Sequence, residues 1–190
     1  MTQLFAGLLL FLGIHSISIV VPAARDRCVK RVGAGTWKGL YAVLSLASFA
    51  LLLYGYGLAR HVSSVLYVPP SWLRVIALIV MLPVFPLALA AYLPGRIQTA
   101  VRHPLLAATK AWALAHLLAN GTLADVLLFG GFLVWAITDR VSLERRAPRP
   151  IATAPPRRWN DAIAVALGLA LYAAFLAGLH RLLIGVSPLG

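Results

Sequence analysis

Residues 102–121 read RHPLLAATKAWALAHLLANG, a mostly apolar stretch whose only regular period is helical. Pro104 suits the first turn of a helix, because the amide proton that proline lacks has no partner there in any case. The same stretch holds two histidines, a lysine and a tryptophan. A charged side chain costs about 2.5 kcal/mol or more at the centre of a membrane-spanning helix. Such residues are therefore expected to face other helices and to have partners.

The rest of the chain has the same apolar character. Its 190 residues are 61% hydrophobic and 12% charged, and the mean hydropathy is +0.88. Soluble domains carry about a quarter charged residues, so we predict an all-α integral membrane bundle with about six transmembrane helices. The six apolar segments are Gln3–Val21, Trp37–Leu58, Trp72–Leu93, Pro104–Ala119, Thr122–Ile137 and Ala162–Gly185.

Local signals predict how these segments bend and begin. Pro83 and Pro86 predict a kink in the third segment. Asn120-Gly121 predicts a tight turn between the fourth and fifth segments. Thr122, with Asp125 three residues later, predicts a capping box at the start of the fifth.

The net charge of +12 resembles that of nucleic-acid-binding proteins, but the charges lie in loops between apolar segments. Nucleic acid is therefore excluded as a partner, and the charges predict the orientation of the chain in a membrane. Three basic residues, Arg60, Arg74 and Arg181, lie on one side. Thirteen lie on the other: Arg25, Arg27, Lys30, Arg31, Lys38, Arg96, Arg102, Arg140, Arg145, Arg146, Arg149, Arg157 and Arg158. Both termini are predicted to be non-cytoplasmic.

The predicted organisation has three parts. Residues 1–146 form a transmembrane domain of five helices, 147–160 a basic cytoplasmic loop rich in proline and arginine, and 161–190 the sixth helix. The first segment has no basic leader, so it is expected to be a retained span and not a signal peptide. The basic loop is interpreted either as a topology determinant alone or as a tether on anionic lipid.

Two histidines lie within predicted spans, His15 in the first and His116 in the fourth. Trp112, His116 and Asn120 follow at intervals of four and share one helix face. His103 lies about 20 Å below His116, so these two cannot hold one small metal ion together. A partner for His116 must come from another helix, and His15 is the other intramembrane histidine.

Two interpretations of this pair stay open. Imidazoles from two helices are what a b-type haem needs for axial ligation, and helical bundles build cofactor sites in this way. Alternatively, both histidines hydrogen-bond to neighbouring helices, which the residues alone favour. Other chemistry has little support, because Cys28 is the single cysteine and no CxxCH, HExxH or nucleophile-elbow motif occurs. The five acidic residues are predicted to lie at segment ends or in loops.

Six stretches resemble the NnrU family of membrane proteins and cover most of the chain up to about residue 146. They are LLLFLGIHS (8–16), GTWKGLYAVLSL (35–46), YGYGLAR (54–60), AAYLPGRI (90–97), RHP with WALAHLLANG (102–121) and LLFGGFLVWAITDRVSL (127–143). The family is tied genetically to nitrite and nitric oxide reduction in denitrifying bacteria. It is similar to 15-cis-zeta-carotene isomerase, a membrane enzyme in which two histidines hold haem b.

The resemblance implies that His15 and His116, in the GIHS and WALAH elements, ligate a haem iron. Residues expected near the ring or its propionates are Trp112, Arg102, His103 and Lys110. The implied function is redox or isomerase-like chemistry linked to denitrification, acting on an apolar small molecule or nitric oxide in the bilayer. A non-enzymatic factor that supports nitrite or nitric oxide reductase assembly or expression is the alternative. More remotely, RHP resembles a motif of S-adenosylmethionine-dependent membrane methyltransferases.

Overall fold

The computed structural model of the protein describes residues 1–146 and 151–189, and most of them are helical. Within these ranges the extended pairing is one isolated bridge, between Val65 and Thr122. The helices are α1 (Thr2–Val20), α2 (Pro22–Val32), α3 (Ala34–Val62), α4 (Ser71–Met81), α5 (Val84–Ala90), α6 (Arg96–Val101), α7 (Pro104–Ala119), α8 (Leu123–Arg145), α9 (Asn160–Ala174) and α10 (His180–Ile184). The predicted all-α class is confirmed.

Five helical stretches in the described residues are long and apolar enough to cross a membrane. They are α1, α3, the α4–α5 pair, α8 and the continuous run from Asn160 to Ile184; α7 is a shorter apolar helix of 16 residues. Only 11% to 22% of the residues in their most apolar windows are buried within the chain. Apolar surface this extensive needs a lipid environment, so the structure supports the predicted membrane bundle.

Three loops contain more helix than the sequence predicted, one of them the loop between the third and fourth segments, which forms α6. The first basic loop forms α2, with Pro22 in its first turn and Lys30 and Arg31 in its last turn, where cations interact favourably with the helix dipole. The fifth span does not end at Ile137, because α8 continues to Arg145. An ion pair between Arg140 and Glu144, four residues apart at 2.8 Å, supports the added turns.

The chain divides into two compact units, and the first contains Met1–Val68 and Asn120–Glu144. Within it, α1 and α3 approach so closely that Gly7 and Gly55 each face the backbone of the opposite helix. Leu4 and Leu52 beside these glycines are almost fully buried. Small residues at such a crossing allow the close backbone packing on which helix association in lipid depends.

A polar clamp holds the start of α8 in the first unit. The Thr122 amide and hydroxyl both donate to Asp125 Oδ2, at 2.9 and 2.7 Å, which confirms the predicted capping box. The Tyr56 hydroxyl of α3 donates to the other carboxylate oxygen at 2.7 Å. The Leu66 amide also donates to the Gly121 carbonyl, at 2.9 Å. The chain after α3 is thus tied to the turn before α8.

The second unit contains Pro69–Ala119 and the described part of Arg145–Gly190. The predicted proline kink is confirmed, because α4 ends at Met81 and α5 begins at Val84. At the break the Leu82 amide bonds to the Ile79 carbonyl, which leaves the Leu78 carbonyl without its usual helical donor. The Tyr172 hydroxyl of α9 donates to that carbonyl at 2.8 Å.

Candidate functional site

His15 lies on α1 in the first unit, and its ring is held in one tautomer. Nδ1 is 2.7 Å from the Phe11 carbonyl oxygen, one turn earlier. A carbonyl only accepts hydrogen bonds, so Nδ1 carries the proton, and in a neutral imidazole Nε2 then carries the lone pair. Within the described residues Nε2 has no hydrogen-bond partner. This is the form of histidine that binds a metal through Nε2.

Aromatic side chains from three helices surround the His15 ring. Phe11 of α1 lies 4.2 Å away between ring centroids, Tyr41 of α3 lies 5.5 Å away, and Trp135 of α8 lies 6.2 Å away, edge-on at 88°. These four residues form what we call the His15 cage. Its walls are flat and apolar, which suits either tight packing or the face of a planar ring system.

One buried polar atom at this cage, Nε1 of Trp135, has no hydrogen-bond partner among the described residues. The Ser45 hydroxyl, one helical turn after Tyr41 on α3, lies within hydrogen-bonding reach of the Tyr41 side chain. A buried donor without an acceptor costs about 1–3 kcal/mol, and native proteins hold few of them. The Trp135 N–H is therefore a buried, unused donor beside His15.

A small basic cavity of about 240 Å³ adjoins the cage at the end where α1, α2 and α3 meet. Tyr41 lines both the cage and the cavity. The other lining residues are Ile17, Ser18, Arg25, Trp37 and Lys38. Arg25 also pairs with Asp26 at 2.9 Å. With two cationic side chains and two hydroxyls, the cavity is suited to carboxylate or phosphate groups.

His116 lies on α7 in the second unit and has the same backbone hydrogen bond as His15. Its Nδ1 is 2.8 Å from the Trp112 carbonyl oxygen. The Trp112 and His116 rings lie 5.2 Å apart, so the predicted shared face of α7 is present. Because a carbonyl oxygen only accepts hydrogen bonds, the proton of His116 lies on Nδ1 and the lone pair of the neutral ring lies on Nε2.

The RHP motif forms a strained turn between α6 and α7. Arg102 is exposed and has φ 62° and ψ −47°, the one positive φ outside glycine in the described ranges. The His103 amide donates to the Val101 carbonyl at 2.7 Å, which makes a γ-turn centred on Arg102. The His103 carbonyl then accepts the Ala107 amide at the start of α7. Strain of this kind costs about 1–3 kcal/mol and tends to occur at functional sites.

Lys110 is half-buried near the middle of α7. In the part of the chain that the structure describes, its ammonium group has neither a hydrogen bond nor an ion pair. An unpaired cation on an apolar helix is a functional candidate, because the charge is costly unless it meets an anion or reaches the interface.

The predicted cofactor residues divide between the two units. His15 belongs to the first, while Arg102, His103, Lys110, Trp112 and His116 belong to the second. The structure brings Trp112 and His116 together and places His103 directly after Arg102. The meeting of His15 and His116 at one iron stays a prediction.

Sequence reasoning missed the residues around His15. Trp135 lies within α8, which continues ten residues beyond it, and its indole nitrogen is buried. Asp139, expected in a loop, is buried within α8. One signal was present, because Trp37, Tyr41 and Ser45 follow at intervals of four and mark one face of α3.

Comparison with known proteins identifies one family. The family model described as NnrU protein matches residues 3–188 of the chain. No curated protein and no solved structure matches it.

Proposed function

Because the chain belongs to the NnrU family, we propose that it is a membrane protein that binds haem b, with His15 and His116 as the axial ligands. The observation that carries the proposal is the hydrogen bond from Nδ1 of each histidine to a backbone carbonyl. Histidines that ligate metals commonly donate their other ring N–H in this way, which fixes the ring and orients the lone pair.

The residues present fit a haem in their donor chemistry. Two neutral imidazoles, those of His15 and His116, would hold the haem iron. The Phe11, Tyr41 and Trp135 rings give His15 apolar walls, and the Trp135 N–H supplies an unused donor.

Cationic groups for the propionates are available in both units. Arg25 and Lys38 line the cavity below the His15 cage. Arg102, His103 and Lys110 lie on or just before α7, and Trp112 packs against His116. In this proposal the arginines and lysines hold the propionates at the basic side of the membrane, and Trp112 orients the second ligand.

When bound, the haem would supply one-electron chemistry or a binding site for nitric oxide or an apolar substrate. We place the protein in the bacterial inner membrane with both termini non-cytoplasmic, on the strength of the thirteen-to-three division of basic residues. A link to nitrite and nitric oxide reduction follows from the family resemblance. Isomerase-like chemistry on a carotenoid is the other reaction that this resemblance supports.

Absorption spectra of the detergent-purified protein, oxidised and dithionite-reduced, with a pyridine haemochrome, test the proposal. We expect a b-type spectrum with about one haem per chain, because one pair of axial histidines is present. His15→Ala and His116→Ala should each lose the native Soret band. The exposed His61 provides the matched control, and His61→Ala should keep the band. A flat spectrum after haem reconstitution would refute haem binding, and unchanged spectra in both variants would refute His15 and His116 as its ligands.

A second candidate is a non-enzymatic membrane factor that supports assembly or expression of nitrite or nitric oxide reductase. The observation favouring it is the contact of His15 with three aromatic rings, which is also what a packing residue makes. On this reading His15→Phe, which preserves the ring, should preserve the stability of the protein and its support of nitrite reduction in cells. Loss of that support with unchanged stability would contradict the packing role.

A further inference from the structure

A second cavity, of about 860 Å³, lies in the second unit between the start of α6 and the segment that leads into α9. Three arginines line it: Arg96 from α6, and Arg157 and Arg158 from the segment before α9. Gln98 and Thr99 add polar side chains, and Asp161 is the one acidic lining residue. The proposed haem site uses none of these residues.

Hydrogen bonds between distant parts of the chain hold the cavity walls together. The amides of Arg96 and Ile97 donate to the two carboxylate oxygens of Asp161, at 2.8 and 3.1 Å. Asn160, which is 2% exposed, donates from Nδ2 to the carbonyls of Pro94 at 2.8 Å and Pro155 at 3.1 Å. These hydrogen bonds fix the segment before α9 at this wall, so the cavity is formed by the folded chain itself.

The charges in the cavity are unbalanced. Asp161 is committed to backbone amides, and the ion pairs of the described residues involve none of the three arginines. Arg158 lies over the ring of Trp159, 4.9 Å from its centroid, which orients the guanidinium plane and leaves its N–H edge able to donate. Guanidinium groups match phosphate oxygens with paired hydrogen bonds, so the cavity is chemically suited to a phosphate.

An apolar stripe on α9 begins beside the cavity, where Trp159 lies under the guanidinium of the lining residue Arg158. Trp159, Ile163 and Leu167 follow at intervals of four, so they share one face, and they are 60%, 41% and 56% exposed. An anionic lipid needs a basic site for its headgroup phosphate and an adjacent apolar surface for its acyl chain, and the cavity and this stripe provide both. We propose that this cavity binds the phosphate of an anionic phospholipid, whose acyl chain lies along the Trp159–Ile163–Leu167 stripe.

The proposal is tested by native mass spectrometry of the detergent-purified protein, titrated with phosphatidylglycerol. The triple variant Arg96→Gln/Arg157→Gln/Arg158→Gln is compared with Arg27→Gln/Arg31→Gln/Arg145→Gln. The control removes the same charge from exposed arginines outside the cavity. We expect the apparent Kd for the first bound lipid to rise at least about tenfold in the cavity variant and less than about twofold in the control. Equal weakening in both variants would overturn the proposal.

Two further measurements keep the result decisive. If the triple variant fails to fold, Arg157→Lys retains the charge but loses the paired donors and should raise the Kd by about threefold or more. An unchanged Kd would count against the site.

Titration with glycerol 3-phosphate then distinguishes the source of the phosphate. Failure to displace the lipid at millimolar concentration supports a lipid ligand, whereas displacement with tight binding of glycerol 3-phosphate alone would overturn it in favour of a soluble phosphate compound.

Discussion

Replacing Gly55 by alanine should destabilise the protein, because the added methyl group would enter the backbone of the neighbouring helix. An ideal Cβ at Gly55 would overlap the Leu4 amide nitrogen and lie 2.5 Å from the Gln3 carbonyl carbon. Backbone atoms cannot move aside as a flexible side chain would, so α1 and α3 must separate. The separation would also loosen the packing around Leu4 and Leu52, which are 0% and 1% exposed.

The expected magnitude follows from two opposing effects. Overpacking of a close-packed contact costs about 1–3 kcal/mol, and a backbone contact belongs at the upper end of that range. Alanine favours a helix over glycine by about 0.8–1 kcal/mol. The net loss in the free energy of unfolding should therefore be about 1–2 kcal/mol.

Gly57 provides a control on the same helix, because nothing lies within 4 Å of the position that a Cβ would occupy there. Gly57→Ala should keep only the helix gain and stabilise the protein by up to about 1 kcal/mol. The free energies of unfolding are to be measured by SDS titration in mixed micelles, followed by circular dichroism. Equal stabilities of Gly55→Ala and Gly57→Ala would refute the close packing of α1 against α3.

Three further changes test other contacts, and each is measured by the same titration. Tyr172→Phe leaves the Leu78 carbonyl without a donor at the proline break, and it should cost about 1–3 kcal/mol; an unchanged stability would argue against this contact. Asp125→Asn weakens the α8 cap and the bond from Tyr56, and it should cost about 1–2 kcal/mol, with faster hydrogen exchange at the Thr122 amide. Arg102→Gly should stabilise the protein by about 1 kcal/mol because glycine accepts the positive φ, while Arg102→Ala should not. Similar stabilities of the two Arg102 variants would show that the turn is not strained.

The helical architecture was predictable because hydropathy and local spacing encode it. Apolar segments of bilayer length predicted the membrane-spanning helices, and Thr122 with Asp125 predicted the start of α8 to within one residue. The break near Pro83 followed from the amide proton that proline lacks. The end of α8 was missed because charged residues that end an apolar segment do not end a helix when an Arg140–Glu144 pair supports it.

The candidate site was predictable only in its histidines. A titratable side chain in an apolar span is conspicuous in any sequence, and this drew attention to His15 and His116. Tyr41, Ser45 and Trp135 are ordinary residues in a membrane protein, and nothing in their local sequence points to His15. They reach its neighbourhood because α1, α3 and α8 pack together with particular rotations about their axes.

By itself the sequence determined the membrane environment, the number and approximate bounds of the apolar helices, and the family, because each depends on composition and local order along the chain. The tertiary structure decided which polar groups become neighbours. Asp161 accepts a hydrogen bond from the Arg96 amide, 65 residues earlier in the chain, and the Trp135 ring contacts His15, 120 residues earlier. Contacts of this kind depend on which helix faces pack together. Which faces pack together depends on the shape of each whole face, and a short motif does not specify it. At the α1–α3 crossing, Gly7 and Gly55 give both faces the shape that allows close packing.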